Sequence, residues 1–411
     1  TDTTAPTTPP TTAPTTPAEG SGPGSVLAGV DLPGANAAAD AEAWNGQAGV
    51  IADGTSTSVV WEGAPGTLSV AGSSACADGL ALTLDGDALA ATLPTALDTV
   101  TTGAVATGDT VTLAAEGCDL SISWIGTHAR PALLADATLW TNPDSQAAAA
   151  AASDPTFADL ASVPQGTWLT DASSAPQLAS SAVAAAQAAG EIPSFVVYMA
   201  PGRDCGGQSA GGVAGADQYR DAIAQVTAAI GDAPAIVVVE PDSVSHTCSE
   251  AISPLLAEAV ETLQGAPNAL VYLDGGHSAW HPAAEQARRL LGAGVAGADG
   301  FALNVSNFRS PSEIEAYGDE LVAVLLDEGV TEDIGYVVDT SRAGAEVPVG
   351  VWCNPAEARI GPEPDLEPPS PWADAWLWVK LPGESDGSCG QGGAPGAGVF
   401  WPDGARRLLG L

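Results

Sequence analysis

The chain has 411 residues, enough for two or three domains, and carries 50 acidic residues against 11 basic ones, a formal charge of −39. That balance excludes nucleic acid, which needs basic patches for its phosphates, and argues against anionic membrane surfaces. No apolar run reaches the ~20 residues of a membrane span, so the acidity reads as solubility, in keeping with salty surroundings and a monomer.

Residues 1–24, TDTTAPTTPPTTAPTTPAEGSGPG, are a Thr/Pro tract. Such tracts build no core and act as extended linkers or stalks, often in secreted proteins. The chain begins at Thr1, which predicts a processed amino terminus, an extracellular location and a tether to another module or to the cell surface. Residues 25–130 change character. SVVWEG, GTLSVAG, LALTLDG, DTVTLAAEG and CDLSISWIG alternate apolar with polar residues and turn at Gly and Asp, as a small all-β sandwich does. This region loosely resembles β-sandwich carbohydrate-binding modules. Trp44, Trp61 and Trp124 suit sugar stacking there, although a Trp in a small sandwich serves equally as core.

Residues 131–411 are an α/β domain. After a helical opening and a short strand near Trp168 come six strand-like runs at 194–206, 235–243, 268–280, 300–308, 334–342 and 375–387. They recur every ~30–40 residues with Ala-rich helical stretches between, the rhythm of βα units, and the length suits one barrel. Nearly every run ends in residues that can do chemistry. Asp204, Asp242, Asp274, Asp339 and Asp386 all fall at such ends, and so does Lys380, the sole lysine. In a parallel barrel the C-terminal strand ends converge on one face, which holds the active site. A strand-end Asp also caps turns, so no single one is diagnostic.

Six cysteines allow 15 pairings, and none forms a CxxC pair. Spacing suggests Cys76–Cys118 in the sandwich. Cys205–Cys248 and Cys353–Cys389 would each tie loops beside the candidate site. The alternative is buried free thiols. His277 and His281 are spaced i,i+4 but lack the HExxH context of a metal pair, so no metal is expected.

Several carboxylates at a barrel mouth with tryptophans nearby point to glycosidic bond hydrolysis. One carboxylic acid must protonate the leaving oxygen and a second must handle water or the anomeric carbon. Eleven Trp against five Phe and five Tyr suits sugar faces. The ordered series YMAPGRDCGGQSAGG, VEPDS, YLDGGHSAWH, LNVSNF, VVDTSR, WCNP and WVKLPGESDG resembles glycoside hydrolase family 6, the inverting cellulases, over most of 135–411. The resemblance implies a distorted, incomplete (β/α) barrel of seven parallel strands, β-1,4-glucan as substrate and no cofactor. It makes Asp242 the general acid. Asp204 raises the acid's pKa and helps place the water. Asp386 is the candidate base, Asp274 a supporting carboxylate, and Tyr198 lies beneath the distorted sugar. Trp168, Trp280 and Trp352 match stacking positions. His277, Asn304, Asn307, Lys380 and Glu384 match hydroxyl-binding positions, with Arg203 and Arg342 holding the carboxylates. Where some members place a water-holding serine, this chain has Ala210, with Ser209 beside it.

Family members that release cellobiose from chain ends roof the cleft with long loops after the RDC and GESDG motifs. Both segments are short here, which predicts an open cleft and an endoglucanase. A cellobiohydrolase and a weakly catalytic glucan-binding protein are the alternatives.

Overall fold

The computed structural model describes residues 130–411 except 331–333 and 371. Between 25 and 128 it describes ten strands and some of the turns that join them. The Thr/Pro tract, Trp44, Trp61, the side chain of Trp124 and Cys76, and with it the Cys76–Cys118 pair, lie outside the described residues.

The amino-terminal strands are β1 (Ser25–Ala28), β2 (Asn36–Ala39), β3 (Gln47–Ile51), β4 (Ser56–Val60), β5 (Gly66–Ser74), β6 (Leu80–Leu84), β7 (Asp87–Leu89), β8 (Asp98–Val105), β9 (Thr110–Ala115) and β10 (Leu120–His128). They form two antiparallel sheets. One is ordered β2-β3-β10-β5-β8 with β1 also on β10, and the other β4-β9-β6-β7. Alternation decides what faces inward. In TVTLAA of β9 every second residue is buried, so Val111 and Leu113 meet Leu68, Val70, Leu120 and Ile122 from the other sheet in one core.

The second unit is a seven-stranded parallel sheet in chain order: β11 (Thr167–Leu169), β12 (Ser194–Val197), β13 (Ala235–Val239), β14 (Ala269–Asp274), β15 (Gly300–Leu303), β16 (Gly335–Asp339) and β17 (Ala373–Leu377). Helices α1 (Gln146–Ser153) and α2 (Ala158–Ser162) precede it. The crossovers carry α3 (Ala175–Ala189), α4 (Ala216–Ile230), α5 (Ser253–Leu263), α6 (Ala283–Gly292) and α7 (Pro311–Asp327), and α8 (Pro402–Leu408) follows β17. Every residue of AIVVV in β13 is buried, because both faces of a parallel sheet are covered. Val237 and Val239 face the helices, whereas Ile236 and Val238 face the barrel interior with Tyr272 and Val337. Ser310 caps α7 by accepting the Glu313 N–H, with Pro311 in the first turn.

β11 does not ladder with β17. The barrel is drawn together beyond the strand by Gly166 N–H donating to Trp378 O at 2.9 Å and Trp168 Nε1 to Val379 O at 2.8 Å. A Cβ at Gly166 would lie 2.8 Å from Val379 O, so only glycine permits this approach. The last run differs from expectation. The strand stops at Leu377 instead of continuing to 387, because Trp378 turns to donate to Pro362 O at 2.7 Å and packs in a separate cluster. Trp376 donates to Glu315 at 2.9 Å. Neither is a sugar platform.

The sandwich docks on the opposite end of the barrel from the strand-end aspartates. His128, at the end of β10, pairs through Nε2 with Asp374 Oδ1 at 2.8 Å, and Tyr272 OH donates to Asp374 Oδ2 at 2.9 Å. His128 also stacks on Trp372 at 5.5 Å.

Candidate active site

The backbone marks the site before any side chain is considered. Eight described non-glycine residues have positive φ, and all but Asp85 lie at or beside the barrel mouth: Asp204, Cys205, Glu240, Asp242, Asn304, Ser306 and Asn354. Left-handed conformations cost about 1–3 kcal/mol each and persist where surrounding contacts impose them, often at functional sites. Two of these residues, Glu240 and Asn304, directly follow β13 and β15 and turn the chain sharply there, and Asp242 and Ser306 lie two residues further on, lining the mouth.

Asp242 follows β13 with φ 69°. Its backbone N–H donates to Asp274 Oδ2 at 2.9 Å, and Gly276 N–H donates to the same oxygen at 3.2 Å. Asp274 is buried beneath Asp242, and its Oδ1 has no hydrogen-bond partner among the described residues. Burial, then the charges of Asp204 and Asp386, push the Asp242 carboxyl up to about 7. Burial and Asp242 likewise hold Asp274 well above the usual carboxylate range. Asp242 therefore keeps its proton at mildly acidic pH. Glu240, also φ positive, clamps the end of β12 by accepting Met199 and Ala200 N–H at 2.9 and 3.0 Å.

Asp204 sits in a tight turn and accepts Ser209 N–H at 2.6 Å. A Cβ at Gly207 would lie 2.7 Å from its carboxylate. Asp386 is fixed at both oxygens. Arg342 Nη1 donates to Oδ1 at 2.7 Å and Asn354 N–H to Oδ2 at 2.9 Å, with both side chains of the ion pair nearly buried. Arg342 also donates to Ser306 O and lies 4.3 Å above the Phe308 ring. Its expected role as a carboxylate holder stands, but Arg203 is different. Arg203 donates to Ser209 O at 2.8 Å and Tyr198 O at 2.6 Å and lies 4.7 Å over the Tyr198 ring, so it shapes the Asp204 loop through backbone carbonyls. Asp339 braces the mouth, with Ser306 N–H and Lys380 N–H both donating to its Oδ2 at 3.0 Å.

Disulfides Cys205–Cys248 and Cys353–Cys389, Cα atoms 6.1 and 5.9 Å apart, pin the loops that carry Asp204 and flank Asp386. The carboxylates open onto a cleft of about 660 Å³. It gathers Tyr198, Asp204, Asp242 and Asp386 with Trp168, Trp280, Trp352, His277, Asn307, Ser209 and Lys380. Trp168 meets Tyr198 edge-on at 5.3 Å, and Lys380 Nζ lies 5.5 Å from the Trp168 ring. Trp352 is 53% exposed at the lip, free to receive a chain. Burial, Asp242 and Asp204 raise the Tyr198 phenol, so it stays protonated. Burial and nearby Arg309 push His277 down to about 4, leaving it neutral.

The family profile of Glycosyl hydrolases family 6 matches residues 133–410. The chain belongs to this family. Endoglucanase 1 of Streptomyces halstedii is 39% identical over 320 residues, covering 72% of this chain and 97% of that protein. Endoglucanase A of Thermobispora bispora is 37% identical, covering 68% of this chain and 63% of its own length. Among solved structures, the endoglucanase Cel6 of Mycobacterium tuberculosis, in complex with methyl-cellobiosyl-4-deoxy-4-thio-β-D-cellobioside, aligns with a TM-score of 0.63 and 36% identity over 68% of this chain and 99% of that one.

Two expected hydroxyl binders do not line the family 6 cleft. Asn304 is fully buried and donates to Arg309 O at 3.1 Å and Asp339 O at 2.9 Å, holding a left-handed turn. Glu384 stands 3.7 Å from Lys380 Nζ and accepts Gln146 Nε2 at 2.5 Å, so it orients Lys380 from behind. Among the liners that escaped the sequence reading are His246, Ser306, Arg309 and Val351. His246 and Ser306 lay inside the singled-out VEPDS and LNVSNF neighbourhoods, which was the available signal. Val351 adjoins the WCNP motif, but its place at the cleft depends on how the 340–372 connection folds over.

Proposed function

We propose that this family 6 hydrolase is a secreted endo-β-1,4-glucanase that cleaves internal bonds of cellulose-like glucans with inversion. The observation that carries the reading is the meeting of Asp204, Asp242 and Asp386 from separate strand ends in a tryptophan-lined cleft, with the Asp242 carboxyl raised to about 7. Asp242 gives its proton to the leaving glycosidic oxygen. Water attacks the opposite face of the anomeric carbon, and Asp386, oriented by Arg342 and Asn354, takes its proton, with Asp204 helping to place it. Tyr198 underlies the ring being distorted, while Trp168, Trp280 and Trp352 stack on neighbouring sugars.

The endo mode rests on loop length. Residues 205–215 connect the Asp204 turn to α4, and 387–401 connect Asp386 to α8, both without secondary structure that could roof the cleft beyond the short turn at Asp204–Gly206. One contact favours the exo alternative: Ser388 N–H donates to the Gln208 side chain at 3.1 Å, joining the two loops. Carboxymethylcellulose separates the readings. An endoglucanase drops viscosity steeply with little reducing sugar released. Cellobiose release with viscosity nearly unchanged would replace this reading with the exo one.

A further inference from the structure

We infer that His246 is a specificity-determining residue that hydrogen-bonds a hydroxyl of the glucosyl unit stacked on Trp280. The inference rests on the glucanase reading and names a contact beyond it. The chain has four histidines. Three have their rings engaged: His128 with Asp374, His281 with Ser245 O at 2.8 Å, and His277 with Ala279 N–H at 3.3 Å. His246 is the exception, since neither ring nitrogen has a hydrogen-bond partner among the described residues. Yet the ring is not loose. It is half-buried and meets Trp280 edge-on at 4.8 Å. Its backbone N–H donates to Asp242 O at 3.0 Å, and Cys248, two residues on, is tied to Cys205.

A firmly held imidazole lining the cleft, with neither nitrogen spent on the protein, presents a donor and an acceptor to a ligand beside Trp280. A sugar hydroxyl needs one of each, and a neutral imidazole offers one of each. Partial burial favours that neutral form. Trp280 supplies stacking that any pyranose face satisfies, so directional selection must come from a polar neighbour, and His246 is in edge contact with the ring.

The test uses His246→Phe, which keeps the aromatic edge against Trp280, and His246→Asn, which restores a donor and an acceptor. On cellohexaose, His246→Phe should raise KM about 3–10-fold, the worth of one neutral hydrogen bond, with kcat within about twofold. His246→Asn should recover most of the loss. Calorimetric binding of cellohexaose to Asp242→Asn and to Asp242→Asn/His246→Phe should show the same difference without turnover. An unchanged KM and affinity in His246→Phe, or a fall in kcat at constant KM, overturns the inference. So does His246→Asn behaving like His246→Phe. If the protein binds cellohexaose in a His246-dependent way but never cleaves it, the glucanase reading fails and this contact stands.

Discussion

Replacing Asp242 by Asn should abolish most activity and, above neutral pH, make the protein more stable. An ordinary Asp carboxyl titrates near 3.8, and the site raises this one to about 7. The fold therefore favours the protonated form. That favourable contribution is fully present below pH 3.8 and is lost as pH rises through about 7. Each pH unit of the rise corresponds to about 1.4 kcal/mol, so ionised Asp242 costs the wild type about 4 kcal/mol at high pH. Asn cannot ionise, keeps the shape and tolerates φ 69°. At roughly 2 °C per kcal/mol for a domain of this size, calorimetry at pH 8.5 should place Asp242→Asn up to about 8 °C above wild type, with the gain vanishing at pH 4. Turnover of cellulose should fall by about 10²–10⁴-fold, and less for a substrate with an acidic phenol leaving group. Wild-type kcat/KM should fall as pH rises through about 7. An equal Tm difference at both pH values, or near-normal cellulose turnover, would refute the assignment of Asp242 as the protonated acid.

Asp204→Asn removes a negative neighbour of Asp242, so the alkaline limb of any residual activity should move to lower pH, as a pH–rate profile would show. Acid and base on different strands should stand about 6.5–9.5 Å apart, with water between them. Proton NMR early in hydrolysis should then show the α-anomer first, and initial β-product would rule out inversion. Arg342→Met leaves Asp386 buried with Asn354 N–H as the remaining contact of the two, and urea unfolding should reveal a loss of about 3–5 kcal/mol. Cys353→Ser with Cys389→Ser should cost about 2–4 kcal/mol and lower kcat, because the bridge adjoins Asn354; unaltered kcat would show that the clamp on Asp386 forms without it.

Much of the molecule was written locally. Period-two alternation marked the sandwich, and repeated apolar runs followed by Asp marked the parallel strands, because burial on one or both faces constrains residue type position by position. The motifs also placed Asp204, Asp242 and Asp386 at strand ends, and parallel topology sends all such ends to one face. The two disulfides beside the site were legible for the same reason, since their cysteines flank those ends.

What only the tertiary structure decided is the use each polar side chain makes of its surroundings. Asn304 and Glu384 sit in the same motifs as cleft residues, yet Asn304 spends its amide on backbone carbonyls of a left-handed turn and Glu384 stands behind Lys380. Arg203 and Arg342 look alike in sequence, but Arg203 serves carbonyls and Arg342 serves a carboxylate. His246 carries no periodicity or spacing signal, and its two unspent nitrogens become visible once the other three histidines are seen to be engaged. Residue type and spacing fix which chain segments meet, because hydrophobic burial is summed over many positions. The pairing of one donor with one acceptor depends on a few tenths of an ångström between segments far apart in the chain, which no local pattern encodes.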